Sequence, residues 1–329
     1  DAAVDAKVRQ YLAILAWSLP AALAYRTFYA FCNALGKPRV LMGIGLVSLG
    51  VHAVLARGFA LEGWLGEPLG VAGCALSNVL IGWAACLSGA AYLAWGALRG
   101  PYRPFADWQR PRWPAWRELL RIGLPMGFSN LVEITSFTLI ALFIASLGAP
   151  VVAGHRVVAN LSALVYMLPL SLAIATMAAL GQAVGARDRP RAKATIRAGL
   201  LLAAGLSSLM GLLLWLGASP LIAAYTDDPA VRAVARGLIG YIALYQFFDA
   251  LQTVAGHCLR AYRVTFVPML VQTFCFWGIG LLGGAWLCHR WQPPLGVAGF
   301  WLAAVVSLVL AAIMLSALLW KAIADADLS

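Results

Sequence analysis

The chain has 329 residues, 62% of them hydrophobic and only 11% charged. A water-soluble domain carries about twice that charge, so a soluble globular fold is excluded. The net charge of +11 is not the footprint of a nucleic-acid binder, because the Arg residues sit in short connections between apolar runs and form no stripe with aromatic partners.

In chain order, nine apolar segments follow at roughly 11–35, 39–60, 69–97, 118–147, 150–181, 197–224, 231–259, 265–288 and 296–320. Each exceeds the ~18 residues that mark a candidate membrane-spanning helix. Backbone groups in lipid must be satisfied within the segment, which favours helices. The segments do not alternate in polarity, which excludes a membrane β-barrel. The expected fold is an all-α polytopic membrane protein with nine transmembrane helices. The cysteines (Cys32, Cys74, Cys86, Cys258, Cys275, Cys288) form no CxxC pair and read as small packing residues. No cofactor is expected.

Basic residues concentrate in every second connection. Lys37 and Arg39, then Arg99 through Arg121, Arg187 through Arg197, Arg260 with Arg263, and Lys321 fall on one side. Lys7, Arg9, Arg57, Arg232, Arg236 and Arg290 fall on the other. The richer side is assigned to the cytoplasm, which puts the C-terminus there too. The expected location is a bacterial cytoplasmic (inner) membrane.

The sequence also repeats itself. Pro68-Leu69-Gly70-Val71-Ala72-Gly73 returns unchanged as Pro294 to Gly299, an offset of 226. Asp1-Ala2-Ala3-Val4 echoes Asp228-Pro229-Ala230-Val231, and Arg9 echoes Arg236, at 227. A unit of six helices returns the chain to the same side, so the two copies are parallel repeats. The second copy begins near Trp113, which leaves the first copy short of its first three helices. Two pseudo-symmetric six-helix bundles are expected, twelve helices in all. Residues 1–98 would supply the last three helices of the first bundle, 99–116 a cytoplasmic connector, and 117–329 the complete second bundle.

Two acids fall deep inside apolar segments, Glu133 and Asp249. A charge at mid-bilayer costs several kcal/mol and marks a functional site unless it only fixes packing. Tyr245 at i−4 and Gln252 at i+3 share one helical face with Asp249. A carboxylate, a phenol and an amide oxygen form a candidate Na⁺ site or hold a proton, and the acids attract a cationic substrate. Asn130, Asn160 and Tyr166 are candidate cavity-lining residues. His155, His257 and His289 lie near segment ends and are expected at the interface. Ser129 and His155 fall at opposite ends of their helices, too far apart for a serine–histidine pair.

These residues resemble the multidrug and toxic compound extrusion (MATE) family of transporters, in its NorM-type branch. The resemblance rests on Gly123-Leu124-Pro125, Glu133, Leu147-Gly148-Ala149 and Val152-Ala153-Gly154-His155-Arg156. It continues through Asn160-Leu161-Ser162, Met167-Leu168-Pro169-Leu170-Ser171, Gly181-Gln182-Ala183-Val184-Gly185-Ala186, Ala34-Leu35-Gly36-Lys37-Pro38 and both Pro-Leu-Gly-Val-Ala-Gly copies. The resemblance implies a twelve-helix antiporter, expected as a monomer, that exports small cationic amphipathic drugs or dyes in exchange for Na⁺ or H⁺. It implies a cation site at Glu133, Asp249 and Tyr245. The chain departs from the family at Gly50 and His52, where an Asn is frequent. Two alternatives stand beside this reading. A lipid-linked oligosaccharide flippase would turn Arg or Lys inward, with Arg26 the one deep candidate. A membrane enzyme or receptor would not need parallel repeats.

Overall fold

A computed structural model of the protein describes residues 2–64, 66–95 and 112–328. Most of the expected connector, 99–111, lies outside them. Among the described residues the regular structure is helical throughout, and it separates into two compact units, Asp1–Pro111 and Arg112–Ser329.

In the first unit, α1 (Ala2–Ala16) and α2 (Leu19–Ala34) replace the single expected segment at 11–35. Pro20 has no N–H to give the helix, and the chain turns through Trp17 and Ser18, whose amides bond back to Ile14 and Leu15. Trp83 on α4 (Val71–Trp95) donates its indole N–H to the Trp17 carbonyl at 3.0 Å, which satisfies an acceptor at the break. Between them runs α3 (Pro38–Arg57), which ends in a π-helical turn, Gly58–Glu62. Phe28, Cys32 and Leu41 form the core of this unit. Gly89 lets the Phe28 ring lie against α4, since a Cβ there would come within 2.7 Å of it.

The second unit contains α5 (Trp113–Ile144), α6 (Ala149–Gly185), α7 (Arg189–Leu216), the short α8 (Ala218–Ala223) and α9 (Pro229–Ala261). Then come α10 (Phe266–Thr273), a π-helical stretch Phe274–Gly283, α11 (Gly284–His289) and α12 (Val297–Leu328). Local chemistry sets the boundaries. Asp188 and Asp228 cap α7 and α9 by accepting from the Arg191 and Ala230 amides at 3.1 and 2.8 Å. Pro190 and Pro229 sit in the first turns, where a missing N–H costs nothing. Helix α9 is the axle of the unit and packs against α6, α7 and α12. Gly154 admits the α6–α9 approach, because a Cβ there would meet Val234 at 2.7 Å.

Seven helical spans, not the expected nine, are long and apolar enough to cross a membrane among the described residues. The two shortfalls have physical causes. The first segment is broken at Trp17–Ser18. Helix α9 has ample length, but Gln246, Asp249, Gln252, Thr253 and His257 dilute its apolar character, and all five are buried. The remaining spans expose Leu, Ile, Val and Trp broadly, including Leu124, Leu131, Ile134, Leu201 and Leu216. Apolar surface of that extent needs lipid rather than water.

The repeat extends to backbone detail. Gly70 and Gly296 have φ of +55° and +56°, a left-handed conformation that glycine adopts without strain. The last residues of the motif, Gly73 and Gly299, lie against backbone: a Cβ would come within 2.7 Å of Phe59 in one and 3.0 Å of Leu287 and Cys288 in the other. Leu69 and Leu295 donate their amides to the Phe59 and Leu287 carbonyls at 3.0 and 3.2 Å. Gly36 and Arg263, 227 apart, both stop their helices with positive φ, and the following amides reach back to Cys32 and Leu259 at 2.9 and 3.0 Å. The six-residue motif is thus one loop design used twice.

Candidate functional site

Asp249 and Tyr245 lie near the middle of α9, 4% and 5% exposed. Gln252 donates from Nε2 to Asp249 Oδ1 at 3.1 Å and to the Thr253 hydroxyl at 3.1 Å. Gln272 on α10 donates to Gln252 Oε1 at 3.4 Å. This orients the Gln252 amide with its N–H side toward the carboxylate.

Glu133 reaches the same cluster from α5 and is half-buried. Its carboxylate and the Tyr166 hydroxyl of α6 are close enough to interact, and Tyr166 also approaches the Thr253 side chain. Glu133 and Asp249 are close enough to act on each other electrostatically, and both act on Tyr166 and Tyr245. The Tyr245 ring stands edge-on to Phe137 and Trp301, with centroids 6.2 and 5.8 Å apart. Three helices therefore bring two acids and two phenols together around a buried carboxylate.

Of the sequence-derived candidates, Glu133, Asp249, Tyr245, Gln252 and Tyr166 come together here. Asn130 and Asn160 are exposed on α5 and α6 and take no part in the hydrogen bonds just described. Two histidines depart from expectation. His155 and His257 are buried, at 5% and 8% exposure, rather than at an interface. His155 lies against the Trp301 ring at 5.8 Å.

Sequence reasoning missed Thr253, His257, Arg260 and Gln272. Arg260, a connection charge by its place in the sequence, lies in the last turn of α9 and acts electrostatically on Glu133 and Tyr166. The signal was present in the spacing: Asp249, Thr253, His257 and Arg260 recur at helical intervals on one face.

The α5 helix is tied to the π-helical stretch beside this cluster. Ser136 donates to the Phe276 carbonyl at 3.2 Å, and the Trp277 indole donates to the Thr135 hydroxyl at 3.1 Å. A π-helical turn pairs its carbonyls five residues on instead of four, and the Ser136 hydroxyl adds a donor to one of them.

A multi-pass helical protein built from parallel repeats, with paired acids enclosed among its helices, has the form of a membrane transporter. A family model described as MatE matches residues 125–286. The chain is 53% identical over 320 residues to the "Probable multidrug resistance protein NorM" of Aromatoleum aromaticum, covering 96% of this chain and 69% of that one. It is 36% identical to the "Multidrug resistance protein PmpM" of Pseudomonas aeruginosa over 313 residues, 93% of this chain and 64% of that one. The structure superposes on the Vibrio cholerae MATE transporter VcmN in its bent form with a TM-score of 0.81 at 16% identity, covering 97% of this chain and 70% of that one. It superposes on the eukaryotic MATE transporter AtDTX14 at 0.84 and 18% identity, covering 94% and 70%. Those two likenesses establish the fold.

The chain belongs to the MATE family. It is a multi-pass membrane protein that stands among transporters and not among enzymes.

Proposed function

We propose that this protein exports cationic, amphipathic compounds in exchange for Na⁺ or H⁺ by alternating access. The observation that carries the proposal is the Glu133–Asp249 pair, two carboxylates held within electrostatic reach inside the helical bundle. Two like charges in a poorly solvated site repel, and a bound cation or a proton relieves that repulsion. An organic cation offers the same relief. Substrate and coupling ion then compete for one site, and exchange follows if each favours a different conformation. The donor set suits Na⁺ as well as a proton. Carboxylate, phenol and hydroxyl oxygens from Glu133, Asp249, Tyr245, Tyr166 and Thr253 are hard ligands, and Tyr245 and its aromatic neighbours give an apolar wall for a ring-bearing drug. Asn130 and Asn160 are proposed as outer walls of the substrate path. The names of the NorM and PmpM relatives support multidrug resistance as the physiological role.

The protein is proposed to act as a monomer in a bacterial inner membrane, with its C-terminus in the cytoplasm. A cysteine added beyond helix α12 should react with a membrane-impermeant maleimide only after the cells are opened. The flippase alternative draws no support from the charges, since Arg26 is exposed and the inward cation, Arg260, acts on Glu133.

The test is ethidium movement by the protein in proteoliposomes under an imposed Na⁺ gradient, then an H⁺ gradient, with Glu133→Gln and Asp249→Asn compared. One gradient should drive transport in the wild type and neither should do so in the variants. Equal transport by the neutral variants would make the two acids structural and end the proposal.

A further inference from the structure

Among the described residues, Arg260 is the one charge that acts on the cluster with the sign of the proposed substrate. It follows Asp249 by eleven residues on the same face of α9, about 16 Å along the axis at 1.5 Å per residue. Helical side chains lean toward the N-terminus, which points a long Arg side chain back toward the acids. A hydrogen-bond relay holds it there. His257 Nδ1 lies 2.8 Å from the Thr253 carbonyl, so Nδ1 carries the proton and Nε2 is left as an acceptor. Arg260 Nη1 lies 3.4 Å from that Nε2.

The guanidinium is thus drawn one turn up the helix to His257, whose ring is in turn fixed on the Thr253 carbonyl. Arg263, only three residues on, behaves differently: its side chain is 73% exposed and pairs with Glu118 at 2.9 Å. A basic residue serving only to mark the membrane face would resemble Arg263. Arg260 instead is half-buried and acts on Glu133.

We propose that Arg260 sets the net charge of the Glu133–Asp249 site at one negative, so that the site takes singly charged organic cations and discriminates against doubly charged ones. With both carboxylates ionised, two negative charges face one fixed positive charge, and one monovalent cation completes neutrality. A dication would leave an excess positive charge in a poorly solvated site. Arg260 acts as a positioning and specificity residue, through Glu133. This inference rests on the proposed role of the two acids as the substrate site.

The experiment uses ethidium and propidium, which share a phenanthridinium ring and carry one and two positive charges. Equilibrium binding is followed by fluorescence anisotropy with the purified protein in detergent micelles. The wild type should prefer ethidium. Arg260→Gln should shift the propidium-to-ethidium affinity ratio on the order of fivefold toward propidium, the effect of one unit charge about 16 Å away at an effective dielectric near 20. Arg260→Lys keeps the charge and should keep the wild-type ratio. Glu133→Gln should weaken both dyes, and Glu133→Gln with Arg260→Gln, which restores one net negative charge, should recover ethidium binding. A structural role for Arg260 would not produce that recovery.

An unchanged ratio in Arg260→Gln, or a double variant that binds ethidium no better than Glu133→Gln, overturns the inference and leaves the acid site standing. If Arg260→Gln does not elute as a monodisperse species, a changed ratio in Arg260→Lys overturns it equally. Ethidium binding indifferent to Glu133→Gln and Asp249→Asn removes the site itself, and the Arg260 assignment with it.

Discussion

The repeated loop makes a prediction in which two glycines of one motif respond oppositely to the same substitutions. At Gly296 the backbone has φ +56° and nothing lies within 4 Å of where a Cβ would be. Alanine there meets no neighbour, and its cost is conformational alone, about 1–2 kcal/mol for a left-handed L-residue. Asparagine enters that region more readily and should cost less than alanine. At Gly299 a Cβ would lie 3.0 Å from the Cys288 nitrogen and the Leu287 carbonyl carbon, atoms of backbone that cannot rotate away. Alanine should force α12 from α11 at about 1–3 kcal/mol, and the larger asparagine should cost more. The four variants would be compared by equilibrium denaturation in mixed micelles, read by tryptophan fluorescence. The expected order is Gly296→Asn milder than Gly296→Ala, and Gly299→Asn worse than Gly299→Ala. The same order at both positions would refute the division of labour. Gly70→Ala should match Gly296→Ala in cost, since the two φ angles agree to a degree.

Other expectations follow from α9 and its neighbours. Gln246 is fully buried and donates to both the Ser162 carbonyl and hydroxyl at 2.8 Å. Gln246→Met should lose about 1–2 kcal/mol, whereas Gln246→Glu sets a carboxylate against a carbonyl and should cost more, read as yield of folded protein and denaturation midpoint. Gly154→Leu should wedge α6 from α9 at Val234, with a loss of about 1–3 kcal/mol and weaker ethidium binding, because Tyr166 rides on α6. Asp228→Ala removes the cap on the Ala230 amide and should cost about 1 kcal/mol, while Asp228→Asn should cost little. Thermal unfolding of the two capping variants checks this.

Much of this architecture is legible in the sequence because lipid simplifies the code. Long apolar runs can only be helices, and the duplicated Pro-Leu-Gly-Val-Ala-Gly motif announces a repeat whose reason, one left-handed glycine and one packed glycine, emerges from the backbone. Depth in an apolar run picks out Glu133 and Asp249 because charges there are rare. The same rule fails at Arg260, since a basic residue at the end of a run reads as a membrane-face marker. Only its side-chain direction, set by His257, turns it inward. It also misplaces His257 and His155, because proximity to a segment end does not fix which face a residue occupies. Hydropathy undercounts α9 for the opposite reason: its polar side chains are turned inward and bond to α6, to backbone and to one another, so it is among the most enclosed helices and one of the less apolar. Nor does composition reveal the π-helical stretch at Phe274–Gly283, where Ser136 from a distant helix meets the Phe276 carbonyl.

The measurement that bears most directly on the shared acid site is competition between substrate and coupling ion. Ethidium affinity would be determined at a series of Na⁺ concentrations and again at a series of pH values, for the wild type, Glu133→Gln and Asp249→Asn. Competition for the two carboxylates should raise the apparent Kd of ethidium in proportion to one of the two ions, and that dependence should vanish in both variants. An ethidium Kd that neither ion changes, or an ion dependence that survives in both variants, would contradict a site shared by substrate and cation.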